Sequence, residues 1–558
     1  EDGVIAFITP NGWMMGSAFE GFRKAIEKEF SKIYVFDLRG DVSGRFREEG
    51  DNIFISESSR GCRTGVAITL LVKKKDYTSK SKVYYCDILS KGAFRVREKR
   101  DVIIQSYSFP KMRQSGQIKE IRPKPNGDWL IERNELFQEL IPLAGNTRRK
   151  FEKHAEDTVF VGYSGGYKTN RDAWAYNYSI DRVRAIKTNF VEGFNEQLAN
   201  GKIDYDDERV KWTTPVKTRF NRKERMELDL STIIYAAYRP YSKRCFDSDS
   251  NLNEAPYQFP KIFPTPSTDN LLICVAGVGV KKDFSCLMTD CMTDLEIVGK
   301  SQCFPLYWYE DRSEIRRSRS QESLLGDDGE NNLIRHDGIS DYILGVARKK
   351  YGQEVTKEDI FYYVYGYLHS PEYRELFSDD LKMSLPNIGL VESKEDFLEF
   401  SEAGRQLAFL HTDYENVEPF EELTFSNGES LDSLLEDEAR CKVTKMKVIP
   451  DEGKVEYNNH IVVSNIPKEA FEYVVNGRSA IGWIEDRYRY TVDKQSGIVN
   501  DPNEYAGGSY ILKLLCSVIN VSVKTMEIVK GLPRLNLEEE GEGPSLIDES
   551  MTEAVEEL

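Results

Sequence analysis

The sequence predicts an α/β sheet in its N-terminal part, followed by a mixed α+β region whose C-terminal part is helical. The first observation is a set of apolar runs near the N-terminus that alternate with a helical segment, as in a doubly wound sheet. The second is the helical spacing of apolar residues that dominates from Leu333 to Leu410. The third is the length of 558 residues, which suffices for two to four domains.

The N-terminal sheet is predicted from four apolar runs. Gly3–Pro10 reads GVIAFITP, and such an unbroken apolar run is typical of a strand buried on both faces. Residues 11–30 predict a helix, because Phe19, Phe22 and Ile26 share one face. The remaining strands of this sheet are predicted at 32–38, 65–72 and 83–88.

A glycine loop follows at 158–174, with the sequence TVFVGYSGGYKTNRDAW. Its glycines would let backbone N–H groups face an anion, and Lys168 and Arg171 would add positive charge. Tyr167 stands where a phosphate-binding G-x-x-x-x-G-K-[ST] loop needs its second glycine, so its side chain would fill the phosphate cradle. A plain tight turn and a loop close to DNA both stay open as interpretations.

Basic residues are concentrated at 208–225 (ERVKWTTPVKTRFNRKER). This segment has seven bases and two acids, with Trp212 and Phe220 interspersed among them. Bases at this density can pair with phosphates, and the aromatic rings can pack or stack on bases. The alternative is a solvated surface segment. A shorter basic patch occupies 146–153. The candidate DNA-contact residues from these stretches and the glycine loop are Arg148, Arg149, Lys150, Lys168, Arg171, Lys217, Arg219, Arg222, Lys223 and Arg225.

The helical part contains a segment that is apolar on nearly every face. Thr356 is predicted to cap a helix that carries an apolar stripe from Ile360 to Leu368, and Ser370 with Pro371 is predicted to begin the next helix. A helix apolar nearly all round lies inside a domain. Farther on, the sequence predicts one strand at 455–463 and helices at 480–488 and 511–529.

Composition excludes several classes of protein. No run of eighteen apolar residues is present, so we expect no membrane span, and no signal peptide is visible. The nine cysteines form no C-x-x-C pair and no Cys/His cluster at zinc spacing, which favours reduced thiols in a cytoplasmic protein and no metal site. The net charge is −17, but residues 536–558 alone hold nine acids and no base. Local basic patches therefore decide DNA binding more than the total does.

Five segments carry a resemblance to a known family. The run IFYYVYGYLHSPEYR at 360–374 closely resembles the C-terminal specificity region of type ISP restriction–modification enzymes. These are single polypeptides that join a nuclease, a helicase-like motor, an adenine methyltransferase and a target-recognition part. The other matching segments are FPLYWYE (304–310), FLEFSEAGRQLAFLHTDYE (397–415), NGRSAIGWIEDRY (476–488) and SGIVNDPN (496–503).

The N-terminal part resembles the second half of an amino-methyltransferase domain that methylates adenine N6. The matching segments are ITPN (8–11), FEGFR (19–23) and DLRG (37–40), and they imply the second half of a Rossmann-like methyltransferase sheet. The F-x-G-x-G cofactor loop and the N-P-P-Y motif do not occur in the chain. Because N-P-P-Y aims the amine of a flipped base at the methyl donor, we expect no methyl transfer by this chain alone and assign no catalytic or cofactor-binding residue.

The resemblance implies four regions and one function. The regions are the C-terminal half of the methyltransferase domain (1–110), a connecting and target-recognition region (111–325), a largely helical C-terminal specificity domain (326–535) and an acidic tail (536–558). The implied function is recognition of a short asymmetric sequence in double-stranded DNA, for adenine N6 methylation by S-adenosylmethionine. Because the chain begins at Glu1 rather than Met, we expect an excerpt whose methyl-donor site, motor and nuclease lie upstream in the same polypeptide.

Three alternatives remain. The first is a fused type II restriction–methyltransferase without a motor. The second is a non-catalytic DNA-binding specificity subunit. The third is a nucleotide-binding protein that uses the loop at 162–169.

Overall fold

The structure, a computed structural model, divides into two compact units. Unit 1 comprises Glu1–Gln138, Val278–Asp283 and Phe377–Ser384, and unit 2 comprises Glu139–Gly277, Phe284–Leu376 and Leu385–Leu558. The structure describes residues 2–40, 51–54, 64–77, 79–88, 95–105, 118–124, 127–130, 133–145, 151, 157–280, 282–311 and 333–537.

The described helices range from one turn to six turns. They are α1 (Glu20–Glu29), α2 (Val96–Gln105), α3 (Leu136–Glu139), α4 (Asp172–Ala175), α5 (Ile180–Asn200), α6 (Thr214–Asn221), α7 (Phe259–Ile262), α8 (Asp341–Tyr351), α9 (Lys357–Tyr367), α10 (Pro371–Leu376), α11 (Asp380–Met383), α12 (Lys394–Thr412), α13 (Leu431–Leu435), α14 (Glu469–Glu472), α15 (Ala480–Arg487) and α16 (Tyr510–Lys530).

The described strands are short in most cases. They are β1 (Gly3–Pro10), β2 (Lys32–Asp37), β3 (Val66–Lys73), β4 (Lys82–Asp87), β5 (Lys119–Ile121), β6 (Ile141–Pro142), β7 (Ser164–Gly165), β8 (Tyr176–Asn177), β9 (Ile233–Arg239), β10 (Ser242–Asp247), β11 (Leu272–Val275), β12 (Cys286–Thr289), β13 (Gln302–Pro305), β14 (Tyr307–Asp311), β15 (Leu333–Asp337), β16 (Asn387–Ile388), β17 (Thr424–Phe425), β18 (Lys447–Ile449), β19 (Lys454–Glu456), β20 (Val462–Ser464), β21 (Val474–Val475), β22 (Arg478–Ser479), β23 (Thr491–Val492) and β24 (Val499–Asn500).

Unit 1 is built on a five-stranded sheet with the order β1-β3-β2-β4-β5. The pair β2/β4 is parallel, and the pairs β1/β3, β2/β3 and β4/β5 are antiparallel. Helix α1 packs on this sheet through Ile26, beside Trp13 and Trp129 in one apolar core. Arg23 of the FEGFR segment is buried, and its guanidinium donates to the carbonyl oxygen of Gly127 at 2.6 Å. The predicted strands of this part are confirmed within one or two residues, but the sheet is mixed rather than a doubly wound parallel one.

Strand β1 differs from its prediction. Its apolar run predicted burial on both faces, whereas Val4, Ile5 and Ile8 are 66%, 51% and 58% exposed. The physical reason is position, because β1 lies at the edge of the sheet and, among the described residues, pairs only with β3.

Unit 2 contains several small sheets around one extended core. Three of them have the strand orders β8-β10-β9, β12-β11-β13-β7 and β17-β20-β19-β18. Helix α16 supplies the centre of the core, with Leu515, Val518 and Ile519 fully buried. The single strand predicted at 455–463 is instead β19, a turn and β20, because the Asn458 side chain accepts the N–H of Ile461 at 2.8 Å and so closes the turn.

The most apolar helix, α9, lies against α12 inside unit 2. Its predicted cap is confirmed, since Thr356 and Asp359 form a reciprocal capping box. Two glycines allow the close approach: a Cβ at Gly366 would lie 2.3 Å from the carbonyl oxygen of Phe400, and one at Gly404 would lie 1.9 Å from that of Tyr362. Helix α10 begins at Pro371, as predicted.

None of the helices in the described parts of the chain combines the length and the apolar character needed to cross a membrane.

Candidate nucleic-acid interface

Helix α6 and the residues after it carry most of the predicted DNA-contact cations. The helix begins after Thr213, has Pro215 in its first turn and buries Val216. Trp212 and Phe220 meet edge to face at 5.3 Å between ring centroids and pack with Phe194 of α5. The two aromatic rings of the basic segment therefore hold it against α5.

The cations of this segment differ in exposure. The Arg222 side chain is 68% exposed, and Lys223 and Arg225 are exposed as well. Lys217 is partly buried, with its ammonium 5.2 Å from the centroid of the Tyr205 ring. Arg219 is also partly buried, and its Nε lies 3.5 Å from a carboxylate oxygen of Glu224. Arg209 is exposed too, but its guanidinium is paired with Glu196 and Asp207. Among the predicted contact residues of this segment, Arg222, Lys223 and Arg225 are therefore the most accessible.

Two adjoining grooves border these cations. A groove of about 1030 Å³ lies between α5 and the segment after α6, and it is lined by Glu192, Asn195, Lys223 and Arg225 among others. A second cavity of about 470 Å³ is lined by Arg219, Arg225, Asp249 and neighbouring polar residues. Arg225 lines both.

The glycine loop does not form an anion cradle. The N–H groups of Gly166, Tyr167 and Lys168 already donate to the carbonyl oxygens of Ser301, Thr293 and Ala255, at 2.8–3.0 Å. A Cβ at Gly166 would lie 2.6 Å from the Cα of Leu295, so the glycine serves a close backbone approach. Tyr167 is buried, and its hydroxyl donates to the carbonyl oxygen of Ser248. These contacts do not support nucleotide binding by the loop.

Arg171 lies inside unit 2 rather than at its surface. Its Nη2 is 2.5 Å from a carboxylate oxygen of Asp247, and its Nε donates to the side chain of Asn253 at 2.9 Å. The Nζ of Lys187 joins the same carboxylate at 2.9 Å and reaches Asp249 at 3.2 Å. Burial by itself would raise the pKa of Asp247, but the charges of Arg171 and Lys187 outweigh it and lower the pKa. This arrangement argues against a direct phosphate contact by Arg171.

Two further groups of predicted contact residues have different outcomes. The Lys168 side chain is partly exposed and remains available. Arg148, Arg149 and Lys150 lie outside the described residues.

A pocket of about 330 Å³ brings together four segments that lie far apart in the sequence. Its lining includes Asp172 from the glycine loop, Tyr238 from β9, Arg487 from NGRSAIGWIEDRY and Asn500 from SGIVNDPN. We call it the hairpin pocket, because the β23–β24 hairpin forms one wall.

Arg244 lines the hairpin pocket and was not predicted as a site residue. Its guanidinium carbon lies 4.3 Å from the Tyr178 ring centroid and 4.4 Å from that of Tyr238, so the guanidinium has an aromatic ring on two sides. Its Nη2 donates to the Tyr178 hydroxyl at 3.2 Å, and its buried Nε has no hydrogen-bond partner in the described chain. No motif or residue spacing at 242–246 (SKRCF) indicates that Arg244 lines a pocket. The only available signal was the resemblance of the surrounding segments.

Arg239, the residue after the pocket-lining Tyr238, is held by an ion pair and by the Tyr238 ring. Arg239 donates to Asp294 at 2.6 Å and lies 4.0 Å from the Tyr238 ring centroid. Burial raises the pKa of Asp294 to about 6, and Arg239 opposes the rise. In the described parts of the chain, no group of three or more His, Cys, Asp or Glu side chains could hold a metal ion.

Comparison with known proteins identifies the family. The model of the Type ISP C-terminal specificity domain matches residues 158–514, which is more than half of the chain. The chain belongs to the Type ISP family. The matched residues include the basic segment, the glycine loop and the hairpin pocket of this Type ISP domain.

Several solved structures are similar to nearly the whole chain, and two of them are of Type ISP enzymes. The ATP-dependent Type ISP restriction–modification enzyme LlaBIII bound to DNA is 32% identical, with a TM-score of 0.73, over 96% of this chain and 33% of its own. A nuclease-deletion mutant of the Type ISP enzyme LlaGI in complex with a DNA substrate mimic is 32% identical, with a TM-score of 0.71, over 96% of this chain and 47% of its own. The cryoEM structure of a DrdV–DNA complex is 27% identical, with a TM-score of 0.71, over 96% of this chain and 50% of its own.

The chain therefore spans between a third and a half of the length of these structures. No curated protein matches it.

Proposed function

We propose that this chain is the target-recognition and partial methyltransferase portion of a restriction–modification enzyme that methylates adenine N6 in a short asymmetric DNA sequence. The observation that carries the proposal is the match of residues 158–514 to the Type ISP specificity domain. It is supported by the likeness of 96% of the chain to Type ISP enzymes in complexes with DNA or a DNA mimic.

The exposed cations after α6 would set the register of the protein on DNA. Phosphate contacts by Arg222, Lys223 and Arg225 carry no sequence information, but they fix where the protein lies along the duplex. Lys217 and Arg219 would add charge from the partly buried side of the same segment. The bases themselves would be read by other side chains in a groove.

S-adenosylmethionine would be the methyl donor of the complete enzyme. The F-x-G-x-G cofactor loop and the N-P-P-Y motif are both missing from the sequence, so the cofactor-binding residues of this chain stay unassigned. We propose that the donor is held mainly by upstream methyltransferase residues of the same polypeptide. The nuclease and helicase-like motor are proposed as further upstream parts.

Purified alone, the chain should transfer no labelled methyl group to DNA above background, and transfer above background would contradict this assignment.

The test of recognition uses a pool of randomised double-stranded DNA incubated with this chain at moderate salt. Sequencing of the retained DNA should show enrichment of one short asymmetric sequence. Retention without enrichment would reduce the proposal to phosphate binding, and the absence of retention at every salt concentration would contradict it.

A further inference from the structure

A β-hairpin next to the hairpin pocket has the exposure, anchoring and chemistry of a DNA-reading element. It comprises residues 489–500, and its strands β23 and β24 pair with each other as a two-stranded sheet. We call it the 489–500 hairpin. The inference rests on the proposed function, since it names the part of the chain that reads the bases.

The hairpin is held firmly at its base. Asn177 donates its side-chain N–H to the carbonyl oxygen of Val499 at 2.9 Å, and the side chain of Asn500 accepts the N–H of Tyr178 at 3.2 Å. Ile498 packs into the same apolar cluster as Trp212 of the basic segment. Because an isolated two-stranded hairpin is only marginally stable in water, these contacts keep the ribbon in one position.

The turn of the hairpin is equally well defined. The carboxylate of Asp493 accepts the N–H groups of Gln495 and Ser496 at 3.1 and 2.9 Å. Gly497 has a φ of +67°, which favours glycine at this position. The side-chain oxygen of Gln495 accepts a hydrogen bond from the ammonium of Lys211 at 2.9 Å, so the turn contacts the start of the basic segment.

The first residues of the hairpin have exposed side chains. Arg489 is 60% exposed, Tyr490 56% and Val492 48%. The only ion pair of Arg489 within the described chain is to Asp486, at 3.6 Å. Its guanidinium fork is therefore available to a ligand, in contrast to the guanidinium of Arg244.

These features fit the major groove of DNA. The groove is about 12 Å wide and admits a two-stranded β-ribbon. An arginine that donates two hydrogen bonds to O6 and N7 of guanine is the commonest base-specific contact, and apolar side chains contact the methyl group of thymine. The basic segment beside the hairpin would hold the flanking phosphates.

We propose that the 489–500 hairpin enters the major groove of the recognised DNA and that Arg489 reads a guanine there. Tyr490 and Val492 would contribute apolar contact beside it.

The test compares selection from randomised duplex DNA by the whole 558-residue chain, by Arg489→Ala, by Arg489→Lys and by a control, Lys468→Ala. Lys468 is a suitable control because it is also an exposed cation and, within the described part of the chain, has a single carboxylate partner, Glu472, at 3.7 Å. Thermal unfolding midpoints of the variants should equal that of the unmodified chain, since both positions are exposed.

We expect the unmodified chain and Lys468→Ala to enrich the same sequence, with guanine required at one position. Arg489→Ala should lose the preference for that guanine by about 5- to 150-fold. Arg489→Lys should lose it too, because an ammonium lacks the planar fork, while the salt dependence of binding stays as in the unmodified chain.

Each contrary outcome has its own meaning. If Arg489→Ala enriches the original sequence with its guanine preference intact, the hairpin does not read that base, and the proposed function stands. If Arg489→Ala weakens binding to all sequences equally, Arg489 contacts phosphate, and base reading is refuted. If the unmodified chain retains DNA but enriches no sequence, the proposed function is reduced to phosphate binding, and this inference is refuted.

Discussion

At Asp247 one buried carboxylate faces two cations, Arg171 and Lys187. Removing one member of such a cluster leaves charge uncompensated in a medium that solvates it poorly, which costs more than the intact cluster contributes. The cluster joins the glycine loop, α5 and β10. These residues therefore act through the stability of unit 2.

The first prediction concerns this carboxylate. Asp247→Ala should lower the free energy of unfolding by about 3–5 kcal/mol, because Arg171 and Lys187 then repel each other without a shared partner. Urea unfolding at pH 7 measures the change. Asp206→Ala, at an exposed loop carboxylate, should change it by less than about 0.5 kcal/mol. Equal effects of the two variants would contradict the role of the cluster.

A second prediction concerns His411, a buried residue of α12 that contacts α9 and α16. Its ring nitrogens contact the hydroxyls of Tyr365 at 2.6 Å and Thr525 at 3.1 Å, and the rings of Tyr473 and His369 lie beside it. Burial, together with the charge of Arg374, lowers the pKa of His411 to about 3. The unfolded state takes up a proton below about pH 6.5, where the folded state does not. Stability is therefore lost as pH falls below 6.5.

His411→Gln should reduce this loss by up to about 1.4 kcal/mol per pH unit between pH 6.5 and pH 4. Urea unfolding of both proteins at pH 7, 6 and 5 gives the difference. Burial lowers the pKa of His369 and raises that of Asp294. Both groups are present in both proteins, so their titration cancels in the comparison apart from the part of the His369 shift that the charge of His411 causes. Parallel pH profiles would show that His411 does not titrate as described.

At the scale of elements, the basic segment is a helix and its C-terminal extension held down by two aromatic residues. Charge reversal at Lys217, Arg219, Arg222 and Lys223 should weaken binding to all DNA sequences and flatten its dependence on salt. The reason is that binding releases fewer counterions from the DNA when fewer phosphates are contacted. Binding titrations at several salt concentrations measure the slope. As a control, Lys394, Lys468, Lys513 and Lys524 can be reversed together, which changes net charge by the same amount. Loss of binding to one sequence alone would instead identify these four residues as base readers.

The sequence predicted elements well where local chemistry decides them. Thr356 begins α9 because its side chain and that of Asp359 satisfy the first turn, which depends on neighbours alone. Prediction from the sequence failed where contacts between residues remote in sequence determine the structure. The apolar run of β1 does not reveal whether a strand lies at an edge, and the positive charge of Arg171 does not reveal the buried Asp247 opposite it. Arg244 could not be singled out, because Tyr178 is remote in sequence and becomes its neighbour only through the pairing of β8 with β10.

At the scale of the whole molecule, the family domain and the structural units do not coincide. Residues 158–514 fall in unit 2 except for the short stretches 278–283 and 377–384, which belong to unit 1. The finer division at 110, 325 and 535 remains a prediction. Because unit 1 takes in both stretches, separating the units at a single point in the chain would remove part of one of them. Experiments on recognition should therefore retain the whole chain.

The exposed edge of β1 has a consequence for handling the protein in solution. A long apolar edge strand presents free backbone donors and acceptors to any other strand, and so acts as a template for aggregation. We expect light scattering to show self-association that grows with protein concentration. Ile5→Lys with Ile8→Lys should suppress it, whereas Leu398→Lys, at an equally exposed apolar position on α12, should not. A charged β1 edge would then provide a monodisperse sample for the DNA selections described above.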